Sequence, residues 1–549
     1  MEKYSTIIIG SGLSGLVAAH EVTKAGKKVL VLDQETEENL GGQAHWSFGG
    51  LFFVNSPQQR TMRIKDSYEL ASQDWNGTAA FDRPEDFWPR QWAQEYVRFA
   101  ANGKYKYVSE LGMKFFPVVG WAERGDGSAS GHGNSVPRFH ITWGTGTGVV
   151  APFVKKAYQA QQQGLLTFKF RHRVTKLLSE NGRIYGVEGD ILASDNKPRG
   201  QKTNRVVIGT FNFQAQQIII ASGGIGANLD LVKKNWPNRL GPPPQHMVCG
   251  VPDYVDGKMI GVAEENGAHV INKDRMWHYT EGLKNWNPIW TNHGIRILPG
   301  PSSIWLDAKG NRFPAPFFPG FDTLGTLKHI QDSGFDYSWF ILTQKIIKKE
   351  FALSGSEQNP DLTNKDYRLI LGRLFGSKAT GPVEAFKLHG DDFIVAHDLE
   401  NLVRQMNTKV GSTLLDYQQV KSQIEDRDRQ LDNKFSKDAQ VNYIQHTRKY
   451  LGDKLARTAK PHKILDPQNG PLIAVRLNIL TRKTLGGIET NLNAQVLDAE
   501  GKVIQGLFAV GEAAGFGGGG MHGYRALEGT FLGGCIFTGM KAGHYIAKQ

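Results

Sequence analysis

Residues 4–33 read YSTIIIGSGLSGLVAAHEVTKAGKKVLVLD. An apolar run, Thr6 to Ile9, meets Gly10-x-Gly12-x-x-Gly15. A small-residue helical pattern follows through Ala18 and Ala19 to Gly26, and a second apolar run, Val29 to Leu32, ends on Asp33. That order predicts strand, Gly-rich turn, helix, strand and acid, the unit that holds a dinucleotide. Gly10 permits the tight turn, Gly12 lets a pyrophosphate approach bare backbone, and Gly15 lets the helix sit close to the sheet. The free N–H groups at the helix start attract phosphate, and Asp33 can accept hydrogen bonds from ribose hydroxyls.

The rest of the chain must be built around this unit. Its 549 residues are too many for one ordinary core, so about two or three domains are expected. With 40% hydrophobic and 21% charged residues the composition is that of a globular protein. No apolar run reaches the length of a membrane span, and the first strand begins too early to leave room for a signal peptide. Cys249 and Cys535 are the only cysteines, so neither a metal cluster nor a disulfide framework is expected, and a reducing cytoplasm is the default. The net charge of +12 comes without a long Lys/Arg run or a nucleic-acid module. It therefore reads as a basic surface around a site for an anionic cofactor rather than as nucleic-acid binding.

Three Gly-rich segments divide the chain: the N-terminal one with Gly41-Gly42 and Gly49-Gly50, Ala221-Ser-Gly-Gly-Ile-Gly226 after the strand-like Gln217–Ile220, and Gly511 to Gly534. Between the last two lie a Trp-rich segment (Trp277, Trp286, Trp290, Trp305), a Pro/Phe-rich turn region from Phe313 to Phe321, and a mostly helical stretch to residue 460. Segment 421–440, dense in both charge signs, reads as a solvated helix. Distant glycine turns serving one cofactor imply an α/β, Rossmann-like domain made discontinuous by an inserted α+β cap. The expected division is 1–272 and 484–549 for the cofactor domain and 273–483 for the cap. A pocket at such an interface is where a ligand would react.

In order along the chain stand the N-terminal fingerprint, Gly41-Gly42, Ser47-x-Gly49-Gly50-Leu51, Ala221-Ser-Gly-Gly-Ile-Gly226, Thr484-Leu-Gly-Gly487 and Gly506-Leu-Phe-Ala-Val-Gly-Glu-Ala513. This set resembles the flavoprotein superfamily of fumarate reductases, succinate dehydrogenase flavoproteins and 3-ketosteroid dehydrogenases, and within it the bacterial FAD-binding dehydrogenases. The resemblance implies FAD. Gly10, Gly12, Gly15 and Asp33 would hold its ADP half, and Gly42, Ser47, Gly49 and Gly50 would line pyrophosphate and flavin. Gly223 and Gly224 would pack toward adenine, and Glu512 would bond the ribityl chain or the pyrophosphate region. Gly529 and Thr530 would approach the pyrimidine edge at a helix N-terminus. Ser14, Ala221 and Gly511 complete the set. His45 stands closer to Gly49 than the histidine to which some relatives attach FAD, so the expectation is non-covalent FAD.

Flavin enzymes of this kind need a polar group that polarises a substrate oxygen and a group that moves a proton. Gly517-Gly-Gly-Gly-Met-His522-Gly-Tyr524-Arg525 offers Tyr524 or Arg525 for the first task, although neither matches the spacing of the relatives. Met276-Trp277-His278-Tyr279 lies where fumarate reductases place a substrate histidine, so His278 and Tyr279 are candidates as well. Lys483 replaces the His that precedes Thr-x-Gly-Gly in dicarboxylate-binding relatives; an anionic group and plain surface charge are both open to it. Counted from Gly310-Asn-Arg312-Phe313, the place of the relatives' Arg or Tyr proton-transfer residue holds Gly320. Asp322, His329 and Tyr337 remain as proton carriers. Phe317, Phe318, Phe321, Trp277 and Trp286 favour an uncharged or cyclic substrate.

The expected function is therefore an FAD-dependent oxidoreductase of a CH–CH bond next to a carbonyl, served by an external electron acceptor or donor. The alternatives are a reductase of an activated double bond and a flavin-bound redox sensor.

Overall fold

The computed structural model describes residues 4–125, 133–376 and 378–549. The N-terminal unit forms as its pattern predicts: β1 (Tyr4–Ile9), α1 (Leu13–Lys24) and β2 (Val29–Asp33). The Ile and Val residues of both strands are buried, as a parallel sheet covered on two faces requires. Gly15 earns its place by contact, since a Cβ there would stand 2.2 Å from the Gly10 carbonyl oxygen. β2 is extended by β3 (Leu166–Phe170), also parallel. β4 (Arg183–Leu192) runs antiparallel to the first half of the long β5 (Val207–Ile220). The second half of β5 returns to the centre and lies parallel to β1, with Ile7 opposite Ile218.

A second, largely antiparallel sheet follows. It contains β6 (Met276–Lys284), β7 (Gly294–Leu298) and, beyond helix α2 (Thr323–Asp332), β8 (Tyr337–Thr343). The helical stretch includes α3 (Tyr367–Phe375) and α4 (Leu451–Ala456). The helix expected over 421–440 ends at Gln430, and Val420 and Ile424 are buried, so one face packs and only the other is solvated. β9 (Leu472–Thr484) is the spine of this sheet and pairs with both β6 and β8.

The chain then re-enters the first sheet. β10 (Val503–Ala509) lies parallel to the end of β5, Leu507 opposite Ile218. One parallel sheet thus draws its strands from residues 4–33, 207–220 and 503–509. The last helix, α5 (Thr530–Ala547), crosses α1 closely because Gly539 and Gly543 lack side chains. A Cβ at Gly539 would stand 2.5 Å from the Ser14 carbonyl oxygen, and one at Gly543 2.5 Å from the Glu21 Cβ. That crossing brings the start of α5 to the same side of the sheet as the Gly-rich turn.

Candidate active site

Where the two sheets meet, a cleft opens. Gly10, Gly12, Ser14, Asp33, Gly42, Ser47, Gly49, Gly50, Ala221, Gly223, Glu512 and Gly529 all line it. Four other residues expected at the cofactor stand behind this wall and shape it. Gly15 packs under Gly10. A Cβ at Gly224 would stand 2.1 Å from Thr484 Oγ1, and one at Gly511 2.5 Å from Ser14 Oγ. Thr530 Oγ1 is held 2.9 Å from His522 Nε2. Asp33 also orders the turn: its carboxylate accepts from the Ser11 amide at 2.8 Å, the Ser11 hydroxyl at 2.6 Å and the Glu35 amide at 2.8 Å.

Two helices start at the wall of this cleft. α1 begins at Gly12 and α5 at Gly529, and neither start has a side-chain cap or an acidic residue in its first turn. Their first N–H groups are left for an electron-rich ligand. A diphosphate at one start and the oxygen-bearing edge of an isoalloxazine at the other satisfy that demand, so the residues fit FAD. His45 does not line the cleft; it packs edge-on against Trp46 at 5.1 Å, and burial, with Arg199 adding to it, lowers its imidazole to about 4.

Lys483 is no surface charge. It lines the cleft, and its Nζ donates to Gln43 Oε1 at 2.7 Å, while the Gln43 amide nitrogen donates to Glu512. Glu512 also accepts from the Thr484 amide at 2.8 Å. Lys483→Met removes the anchor of this chain. The FAD dissociation constant, read by flavin fluorescence, is expected to rise about tenfold.

The far end of the cleft belongs to the second sheet. Tyr279 on β6 and Arg296 on β7 face it, with Leu298, Phe48 and Phe139 as apolar wall. The Arg296 guanidinium lies over the Tyr279 ring, 3.7 Å from its centroid. Arg296 donates to Glu528 Oε1 at 2.8 Å and stands 3.7 Å from Glu123. The Trp277 indole N–H also donates to Glu528 Oε1, at 3.2 Å. Burial works against the Arg296 charge, but Glu528, Tyr279 and the other carboxylates outweigh it and raise its basicity. Burial, with Glu528 adding to it, raises the Tyr279 phenol above its ordinary 10.0, Arg296 opposing. Burial likewise pushes Glu123 well above the usual carboxylate range. That direction keeps the proton on the Tyr279 phenol, which leaves its O–H able to donate a hydrogen bond. Glu528 balances Arg296, which suits an uncharged substrate better than a dicarboxylate. Arg482, also in the wall, donates to Ser354 Oγ at 3.2 Å.

The remaining candidates stand away from the cleft. The Tyr524 hydroxyl donates to Asp82 at 3.1 Å, and its ring is flanked by Arg275 at 4.1 Å and Arg239 at 4.4 Å. Arg525 lies behind Glu528, 3.7 Å from Asp322, which caps α2. Tyr337 packs on Arg476 at 4.8 Å, and His329 on the Phe317 ring at 5.1 Å. The expected aromatic lining is elsewhere too: Phe321 packs on Tyr443 and Trp286 on His389. His278 points away from Tyr279, as strand alternation demands, and stacks on Trp236 at 4.9 Å.

His278 makes a direct prediction. Burial, with Arg239 adding to it, lowers it from 6.5 to about 3. Below pH 6.5 the unfolded chain takes up a proton that the folded one refuses, so stability is full above that pH and falls as pH drops toward 3. The slope from this one group is about 1.4 kcal/mol per pH unit. His278→Phe keeps the stack and should flatten the acid-side decline by that slope, read by denaturant unfolding between pH ~7 and pH ~5. Activity should be retained.

A family profile described as FAD binding domain matches residues 5–532. The chain is 57% identical over 547 residues to a KsdD-like steroid dehydrogenase of Mycobacterium tuberculosis, covering 99% of this chain and 95% of the relative. Among solved structures, 3-ketosteroid delta1-dehydrogenase from Sterolibacterium denitrificans aligns with a TM-score of 0.67 at 16% identity, covering 100% of both chains. The 3-ketosteroid-delta4-(5alpha)-dehydrogenase from Rhodococcus jostii RHA1 aligns at 0.62 and 19% identity, covering 100% of this chain and 97% of that one.

Proposed function

The chain belongs to the FAD binding domain family and is an FAD-dependent dehydrogenase; on that premise we propose that it acts on a CH–CH bond beside the carbonyl of a steroid-like ketone. The observation that carries the reading is Tyr279 in the cleft wall beside the Arg296–Glu528 pair. FAD, when bound, supplies the two-electron acceptor. The protein supplies the rest. Tyr279 donates a hydrogen bond to the ketone oxygen, which orients the substrate and stabilises charge developing on that oxygen. Arg296 holds the phenol ring in place from above. Phe48, Phe139 and Leu298 exclude water from the bond that reacts.

The cofactor assignment belongs to the same reading. Gly10, Gly12, Ser14 and Asp33 take the ADP half, Gly42, Ser47, Gly49 and Gly50 the middle, and Gly529 the ring, with FAD held non-covalently. The division into 1–272, 273–483 and 484–549 is supported by the two sheets, although β9 also recruits Val248–Cys249, which lies inside the first segment. Cys249 and Cys535 are free thiols, which supports a reducing, cytoplasmic setting. Electrons leave to an external acceptor.

Anaerobic titration of the yellow holoenzyme with a panel of 3-ketosteroids tests the reading. Bleaching of the flavin by a saturated ring ketone supports it. Reoxidation of chemically reduced enzyme by enones, with no bleaching by any saturated ketone, would assign a reductase instead.

A further inference from the structure

Two helices beside the far end of the cleft leave their apolar side chains in solvent. Tyr367, Leu371 and Phe375 stand four residues apart along α3, and Leu451 and Leu455 do the same on α4. These five are between 52% and 80% exposed. Cations surround them: Lys365, Arg368 and Lys378 at α3, and Lys449, Lys454 and Lys460 at α4 are all exposed. The acids of the same segments are already engaged. Asp453 is buried and pairs with Arg124 at 2.5 Å, Asp361 is buried and pairs with Arg373 at 3.1 Å, and Asp366 caps α3.

Both helices are wired to the cleft wall. Arg457, just past α4, donates to the carbonyl of Leu298 at 2.7 Å. Arg373 of α3 donates to Asn359 at 2.8 Å, and Asn359 in turn donates to the carbonyls of Leu353 and Gly355, on either side of Ser354. Leu298 and Ser354 line the cleft. The two anchor points are neighbours, since Leu298 pairs with Ala352, next to Leu353.

We propose that this apolar and basic face seats the protein on an anionic lipid surface. Apolar side chains ringed by exposed cations, on a chain of net charge +12, suit the headgroup boundary of such a bilayer. A second copy of the chain would bring the same cations against themselves, which disfavours self-association through this face. No helix among the described residues is long and apolar enough to cross a membrane, so the contact is peripheral. The inference goes beyond the reading of the cleft; only its corollary, that a lipid-dissolved ketone enters from this side, rests on that reading.

Co-sedimentation of full-length holoenzyme, without substrate, tests it. Vesicles of phosphatidylcholine alone are compared with vesicles that also contain phosphatidylglycerol. The protein should pellet with the anionic vesicles, be released by added salt, and show little affinity for the neutral ones. The triple variant Leu371→Asp, Phe375→Asp, Leu451→Asp should bind about tenfold less or weaker still. Ile208→Asp, at an equally exposed apolar position on β5, should bind as the parent does. The pair Arg368→Glu and Lys454→Glu, at exposed sites outside the core, should also lower binding about tenfold or more, and stands in if the triple variant does not fold. Equal binding to both vesicle types, no binding to either, or equal loss in Ile208→Asp overturns the proposal. So does a dimer, seen by light scattering, that the triple variant dissolves while the parent ignores vesicles.

Discussion

Tyr279→Phe should slow flavin reduction by a ketosteroid about 10²–10⁴-fold while FAD binding and the flavin spectrum stay as in the parent. The substitution is narrow. It keeps the ring on which Arg296 rests, 3.7 Å away, and the packing of β6; it removes one hydroxyl from a residue of the cleft wall. The pH profile separates the donor role from its rival. A phenolate base needs a depressed pKa, and here burial and Glu528 push the phenol above 10.0. The rate should therefore not decline through loss of the phenol proton until pH rises past that value. Stopped-flow reduction across the alkaline range reads it directly. A Phe variant within about threefold of the parent would remove Tyr279 from the chemistry.

What was legible in the sequence follows from the range of the physics involved. The β1–α1–β2 unit is set by local periodicity and by glycines whose missing side chains are needed within a few residues. Gly10, Gly12 and Asp33 are therefore legible in that segment alone, whereas Gly49 and Gly529 rest on the family resemblance; all five line the cleft. The discontinuous domain is legible instead from three distant Gly-rich segments serving one cofactor, and the strands beside them do join in parallel, β5 with β1 and β10 with β5. The substrate end was read less well, because it depends on which way side chains point in a sheet assembled from distant strands. In Met276-Trp-His-Tyr279, strand alternation sends Tyr279 to the cleft and His278 to Trp236. Nothing local says which face is which. Tyr524 and Arg525 follow four glycines, and the loop they end turns their side chains to Asp82 and Asp322, while their neighbour Glu528 faces the cleft. Arg296 was missed, although a signal was there. A lone Arg in Gly294-Ile-Arg-Ile-Leu298, a strand buried along its whole length, must have a carboxylate partner. Gln43, after Gly41-Gly42, had no comparable mark; its role rests on Lys483 and Glu512, which are distant in sequence.

Arg296→Met should be costly in two separable ways. The guanidinium is almost fully enclosed, with Glu528 at 2.8 Å and Glu123 at 3.7 Å. Removing it leaves Glu528 buried without its charge partner, and such losses cost about 3–5 kcal/mol. Calorimetric unfolding should record that cost. The second loss is catalytic, about 10²–10³-fold in the flavin reduction rate, because the ring that carries the donor hydroxyl is no longer held from above. The two effects come apart in the double variant Arg296→Met, Glu528→Gln. Neutralising Glu528 removes the unpaired charge while the amide still accepts from the Trp277 indole, so stability should return most of the way. The rate should not return, since nothing restores the clamp on Tyr279. A double variant that regains both would make Arg296 a counter-ion alone. One that regains neither would mean that Glu528 serves the reaction through its own charge. Arg296→Lys tests the geometry of the clamp: a lysine keeps the charge but cannot lie flat on the phenol while bonding Glu528, so it should rescue stability more than rate.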